Sequence, residues 1–203
     1  MSISVILSIT TSASAVEYEY KYTLLLPPGW SSANAQGIND SGAVVGYGYA
    51  TAADKTNNVP KVFLYSAGVY TELLPPGWSM VGTPIAGIPW SGGIINNSGA
   101  VVGVGADGTT AKGFLYSAGV YTDIVPPGWS WSAASGINDS GAVVGYGYAT
   151  GKSFLYTEGV YTELLPPGWG DAYAYDINDS GAVVGWGHDS THLTTGFLYS
   201  AGV

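Results

Sequence analysis

The densest cluster of coordinating side chains in this sequence is His188-Asp189-Ser190-Thr191-His192, which sets two imidazoles and a carboxylate within five residues. Such a set is the start of a transition-metal site, which needs three or four His, Cys or carboxylate donors. It is not completed: the chain has two histidines in all, no cysteine, and no glutamate close by. The segment reads as a solvated loop, and neither a metal nor a cofactor is expected.

A second pattern recurs along the chain. Asn-Asp-Ser-Gly stands at 39–42, 138–141 and 178–181, and Asn-Asn-Ser-Gly at 96–99. A calcium loop would need further acidic positions and a distal glutamate. Asn or Asp shortly before Gly is what a tight turn demands, so a turn is expected. Each string is also an Asn-x-Ser sequon, which makes Asn39, Asn96, Asn138 and Asn178 candidate glycosylation sites. Trp30, Trp78, Trp129 and Trp169 each follow Pro-Pro-Gly. Such a ring can stack on a sugar or serve as a wedge between neighbouring blades, and once-per-repeat spacing favours the wedge. There is no Cys nucleophile, no Arg clamp, no Gly-x-Ser-x-Gly elbow and no phosphate loop. The carboxylates recur by copying rather than as an asymmetric acid and base, so no catalytic residues and no enzyme are expected.

Composition narrows the class further. Five lysines, no arginine and 14 carboxylates leave a formal charge of −9. The cations that dominate nucleic-acid affinity are therefore missing, and nucleic acid is not an expected partner. Thirty-one glycines with 16 tyrosines and seven tryptophans are strand and turn chemistry. Few charges and many Ser, Thr, Tyr and Gly suggest an extracellular or cell-surface setting. No apolar run approaches the roughly 18 residues of a membrane helix.

These residues are carried by a repeat. Phe-Leu-Tyr-Ser-Ala-Gly-Val-Tyr-Thr-Glu-Leu-Leu-Pro-Pro-Gly-Trp runs from Phe63 to Trp78 and recurs with few changes from Phe114 and Phe154, the Trp always 15 residues after the Phe. Ile38, Ile95, Ile137 and Ile177 head the second shared string, so there are four repeats. Each divides into four strands: a Ser/Ala-rich run ending at Ile-Asn, then Ala-Val-Val-Gly (Ala142 to Ala149 in the third copy), then a hairpin turned at Ala67-Gly68, Ala118-Gly119 or Glu158-Gly159. Four strands per repeat predict an all-β, four-bladed β-propeller. The glycine face of the second strand, Gly145 and Gly147, predicts aromatics of the neighbouring blade packed on the backbone. Thr51 to Asn58 and the Pro-Trp insertion between Gly82 and Ser91 are expected to be loops.

The two ends are complementary. The last repeat stops after its third strand, while Tyr22 to Trp30 spells a fourth strand with no third before it. The last blade is therefore expected to be completed by this N-terminal strand, within the chain or from a neighbouring subunit. Residues 1–21 form an extension from the propeller domain of 22–203. Ala13-Ser14-Ala15 fits a cleavage site, but the apolar stretch is short and lacks a preceding cation. Its alternation of Ile3, Val5, Leu7 and Ile9, and then Val16, Tyr18 and Tyr20, reads as an assembly strand.

The Gly-Ile-Asn-(Asp/Asn)-Ser-Gly-Ala-Val-Val-Gly string followed by a Phe-Leu-Tyr hairpin, over residues 22–203, resembles the extracellular repeats of the HAF family. The His-Ala that names that family is replaced here by Lys61-Val62, Lys112-Gly113, Lys152-Ser153 and Thr195-Gly196. The resemblance implies a surface-exposed propeller-like protein without an activity. The expected function is a non-enzymatic structural protein, a subunit of a surface filament that binds copies of itself head to tail. The alternative is a multivalent carbohydrate-binding lectin with surface glycans as partners.

Overall fold

The computed structural model describes residues 2–8, 17–57, 59–81, 93–106 and 110–200. Within each repeat the strand order follows from local turn chemistry. Ala67 and Gly68, Ala118 and Gly119, and Glu158 and Gly159 all have positive φ, from 49° to 88°. Two consecutive left-handed residues give the turn whose twist matches that of a hairpin. At the other end of the sheet, Asn39 accepts hydrogen bonds through Oδ1 from the Ser41 hydroxyl and the Ala43 amide, and Gly42 takes φ 79°. Asn96, Asn138 and Asn178 repeat the arrangement.

The strands form five antiparallel sheets. β1 (Ser2–Ser8) and β2 (Glu17–Thr23) form a hairpin. The first repeat sheet is β3 (Ser32–Ile38), β4 (Val44–Tyr49), β5 (Lys61–Ser66) and β6 (Val69–Leu73), in sequence order. The second contains the short β7 (Met80–Val81) and β8 (Ile94–Ile95), both paired to β9 (Val101–Ala106), then β10 (Ala111–Ser117) and β11 (Val120–Ile124). The third is β12 (Ala133–Ile137), β13 (Val143–Gly147), β14 (Lys152–Thr157) and β15 (Val160–Leu164). The fourth is β16 (Asp171–Ile177), β17 (Val183–His188) and β18 (Thr194–Tyr199). The architecture is all-β and propeller-like. Residues 82–92, where the insertion of the second repeat falls, lie outside the described residues.

The cores lie between successive sheets. Val45, Val62 and Leu73 of the first sheet pack with Trp78, Ile95 and Phe114 of the second repeat. Val102 and Ile124 meet Ile137, Val143 and Phe154, and Val144 and Leu164 meet Ala174, Ile177 and Val183. Each fully buried Val, Leu or Phe side chain contributes about 1.5–3 kcal/mol relative to exposure.

Three expectations are corrected. The aromatic over the first glycine of each second strand comes from the same sheet: Gly46, Gly103, Gly145 and Gly185 lie under Phe63, Phe114, Phe154 and Phe197 of the adjacent strand, whereas Gly147 lies against Trp129 from the segment between β11 and β12. At the first glycine a cross-strand ring fills the gap, so no neighbouring sheet is required there. Thr51 to Asn58 is not all loop, since α1 (Ala52–Thr56) starts there. Its cause is a capping box, in which Thr51 Oγ1 accepts from the Asp54 amide and Asp54 accepts from the Thr51 amide. Lastly, Tyr22 and Thr23 belong to β2 and pair with β1, whereas β18 pairs with β17 alone among the described residues. The N-terminal strand therefore does not complete the last sheet within the chain. A local hairpin closes a short loop, while pairing with β18 would close one of nearly the whole chain, at greater entropic cost.

Candidate functional site

The repeat holds its scaffold constant, so positions at which copies differ identify what the scaffold is decorated with. On the second strand, Tyr47, Val104, Tyr146 and Trp186 are equivalent, as are Tyr49, Ala106, Tyr148 and His188. On the first strand, Asn34, Ala133 and Tyr173 share a position, Gln36, Ser135 and Tyr175 the unpaired position of the bulge, and Gly37, Gly136 and Asp176 the residue after it. Rings and acids accumulate on the third and fourth sheets.

There they touch. Tyr173 lies against Trp186 with centroids 4.9 Å apart and against Tyr146 at 5.5 Å. Trp131 approaches Tyr146 at 6.1 Å and Tyr148 at 6.2 Å, and Tyr175 approaches Tyr146 at 6.3 Å. Tyr146 is buried at the centre, and its phenol is pushed well above the ordinary range by that burial, then by Tyr175 and Tyr173. The Tyr173 phenol is raised by burial and by the Asp171 charge beside it.

Tyr146, Tyr175 and Asp176 also line a cavity of about 470 Å³ on the inner side, which Gln36, Ile94 and Ser135 complete from the first strands of the other repeats. Its size is that of a small-molecule site, and its walls combine apolar and aromatic surface with a few polar groups. The Asp176 carboxylate is exposed there, with Oδ1 accepting from the Ile177 amide.

At the far end of the aromatic cluster His188 is held by Asp171. The two face each other across β16 and β17. Both Asp171 oxygens lie 3.0 Å from His188 Nδ1, and Oδ1 also accepts from the His188 amide at 2.8 Å. Trp186 packs nearly perpendicular to the imidazole at 5.5 Å. A carboxylate on Nδ1 orients the ring and leaves Nε2 to exchange a proton with whatever lies beside it, the arrangement of general acid–base catalysis. Sequence reading considered His188 as a metal ligand and missed Asp171, Tyr173, Tyr175 and Trp186. Counting the register back from Ile177 and Val183 across one bulge places Asp171 opposite His188, and departure from the repeat identifies the others.

The other expected residues fall elsewhere. Asp189 accepts from Thr191 and Leu193, and His192 takes φ 63°, so the Asp189–His192 segment is a turn of the Asn-Asp-Ser-Gly kind. Those contacts hold the Asp189 carboxyl below its usual range. Asn39, Asn96 and Asn138 are buried, and each side-chain amide donates to the backbone carbonyl of the equivalent Asn one repeat later. A glycan there would remove that bond; Asn178 is exposed. Trp30, Trp78, Trp129 and Trp169 make edge contacts at 6.0–6.2 Å with Phe63, Phe114, Phe154 and Phe197. Of the assembly-strand residues, Ile3, Val5 and Leu7 pair with Tyr22, Tyr20 and Tyr18. Ile9 and Val16 lie outside the described residues. No helix among the described residues is long and apolar enough to cross a membrane.

No family model and no curated protein matches this chain. Among solved structures it is similar to a streptogramin B lyase, at 15% identity and a TM-score of 0.48 over 85% of this chain and 56% of that one. It is also similar to a catalytically inactive virginiamycin B lyase from Staphylococcus aureus solved with quinupristin, at 16% identity and 0.48 over 97% and 60%. The chain thus spans less than two thirds of either structure, and the likeness is one of fold. The expectation of a non-enzymatic filament subunit or lectin is cut back to a propeller-like fold, these two similar structures being lyases by name.

Proposed function

We propose that the inner cavity binds a small organic cation. The observation that supports the reading most is the gathering of the non-repeated Tyr175 and Asp176 with Tyr146 around one cavity in an otherwise copied scaffold. Tyrosine faces attract a cation through the ring quadrupole, and a carboxylate adds its charge. Competing cations are distant in kind. Lys61, Lys112 and Lys152 sit on third strands facing Glu72, Asp123 and Glu163 of fourth strands. The formal charge of −9 favours a positive ligand over an anion. In this reading the four repeat sheets are four blades of one propeller, and the cavity lies at their inner strands.

The test is a titration of tryptophan fluorescence and heat with benzyltrimethylammonium, against neutral neopentylbenzene-type and anionic benzoate controls. Saturable binding of the cation alone, weakened roughly tenfold or more by Asp176→Asn or Tyr175→Ala, is expected. Equal response to benzoate, or unchanged affinity in both variants, would reject it.

A further inference from the structure

The same interface is made three times inside this chain and left unmade at its two ends. In every internal case an isoleucine of the later sheet covers a valine and an alanine of the earlier one. Ile95 covers Val45 and Ala43, Ile137 covers Val102 and Ala100, and Ile177 covers Val144 and Ala142. The covered valines are 0% exposed and the covering isoleucines 5–8%. The equivalent residues at the ends are open: Ile38 is 70% exposed, Val184 48% and Leu198 68%.

A polar ladder breaks off in the same place. Asn39, Asn96 and Asn138 each donate through Nδ2 to the carbonyl of the Asn one repeat on, at 2.9–3.1 Å. The amides of Asp40, Asn97 and Asp139 donate to Oδ1 of Asn97, Asp139 and Asp179, at 2.8–2.9 Å. The donors that would continue both rows are the Asn178 side-chain amide and the Asp179 backbone N–H, and the acceptors that would receive them are the Asn39 carbonyl and the Asp40 carboxylate.

A third unfinished element adjoins these. Phe63, Phe114 and Phe154 each carry a tyrosine of the fourth strand at 5.7–6.3 Å, namely Tyr70, Tyr121 and Tyr161. Beside Phe197, Leu198 and Tyr199 there is instead a largely apolar groove of about 330 Å³, closed on the other side by Leu164, Leu165 and Pro166. Carried over from Tyr65 opposite Tyr70, the repeat register would set Tyr22 opposite Tyr199, and so Thr23 opposite Leu198 and Leu25 opposite Gly196. Tyr22, Leu24 and Leu26 are exposed. Among the described residues β2 pairs with β1 alone, along one edge.

We infer that a second copy of this chain docks head to tail, its first sheet on the fourth sheet of the first copy. Ile38 of the one covers Val184 and Leu198 of the other, and the Tyr22–Leu26 strand lies in the β18 groove. The occupant follows from continuity: the surface exposed at one end is the chemical copy of the surface that already accepts a sheet three times, and the other end presents the sheet that it accepts. Shape, apolar match and hydrogen-bond polarity are all those of an interface that the chain demonstrably makes.

The experiment is sedimentation of the full chain over a wide concentration range, with Ile38→Asp and Val184→Asp. Both residues are exposed in the single chain, so each variant should keep the parent's strand signal and melting temperature, while the internal control Val144→Asp should not. The parent is expected to self-associate, and each variant to raise the dissociation constant by roughly tenfold to a hundredfold or more. Mixing the two variants should restore association, because one retains the fourth-sheet face and the other the first-sheet face. A parent that stays monomeric at the highest concentration, or association that persists in either variant alone, would overturn the inference.

Discussion

At the scale of single residues, small side chains matter here because large ones lie on them. A Cβ at Gly145 would meet the Ala133 carbonyl oxygen and the Phe154 ring, whereas at Gly170 the nearest atom is 3.9 Å away. Gly145→Ala should therefore cost on the order of 1–3 kcal/mol in denaturant unfolding, through forced displacement of the ring or the strand. Gly170→Ala should be neutral or slightly stabilising, since it stiffens the unfolded chain without a clash. Tyr146 makes a second prediction. Its folded-state pKa is raised above the ordinary phenol value of about 10, chiefly by burial, so the unfolded chain releases that proton first as pH rises. The stabilisation is complete below about pH 10 and is lost progressively above it. Melting temperatures from pH 8 to 11 should fall less steeply in Tyr146→Phe than in the parent; parallel curves would show that Tyr146 does not carry the effect.

At the scale of elements, the fold was legible wherever a local rule sufficed. The Ala67-Gly68 turn, the Asn-Ser-Gly turn and the Pro-Pro-Gly stop lie within a few residues of the strands that they punctuate, so the four hairpin sets could be read directly. The Thr51-x-x-Asp54 box was equally local, and α1 was missed because no apolar period accompanies it. Partner choice between distant strands was not legible. Tyr22 to Leu26 has the pattern of a fourth strand, but β1 is near in sequence and β18 is far, and strand pattern alone does not encode that difference. The candidate site was illegible for a related reason: Asp171 and His188 are 17 residues apart and meet only through the register of β16 and β17. Shortening α1 should test how far such local additions matter. Thr51→Ala removes its cap and should cost about 0.5–2 kcal/mol locally, visible as faster amide exchange over residues 54–57 with little change in global unfolding.

At the scale of the whole molecule, the chain reconciles two demands by dividing them between copies and departures from copying. The repeated Val, Leu, Phe and Trp residues build the inter-sheet cores, and the unrepeated Tyr173, Tyr175, Asp176, Trp186 and His188 all lie on the last sheet, where Tyr175 and Asp176 line the inner cavity. A scaffold alone would have no use for that asymmetry. The claim that function resides in the departures is tested most directly by mapping amide chemical shifts of the ¹⁵N-labelled chain while benzyltrimethylammonium is added. Changes are expected at the cavity-lining amides of Gln36 to Ile38, Ile94, Ile95, Ala133 to Ser135, Tyr146, Tyr175 and Asp176, largest at the last three, with the outer strands Val69 to Leu73 and Val160 to Leu164 essentially unmoved. Shifts spread evenly over inner and outer strands, or none at saturating probe, would contradict the claim.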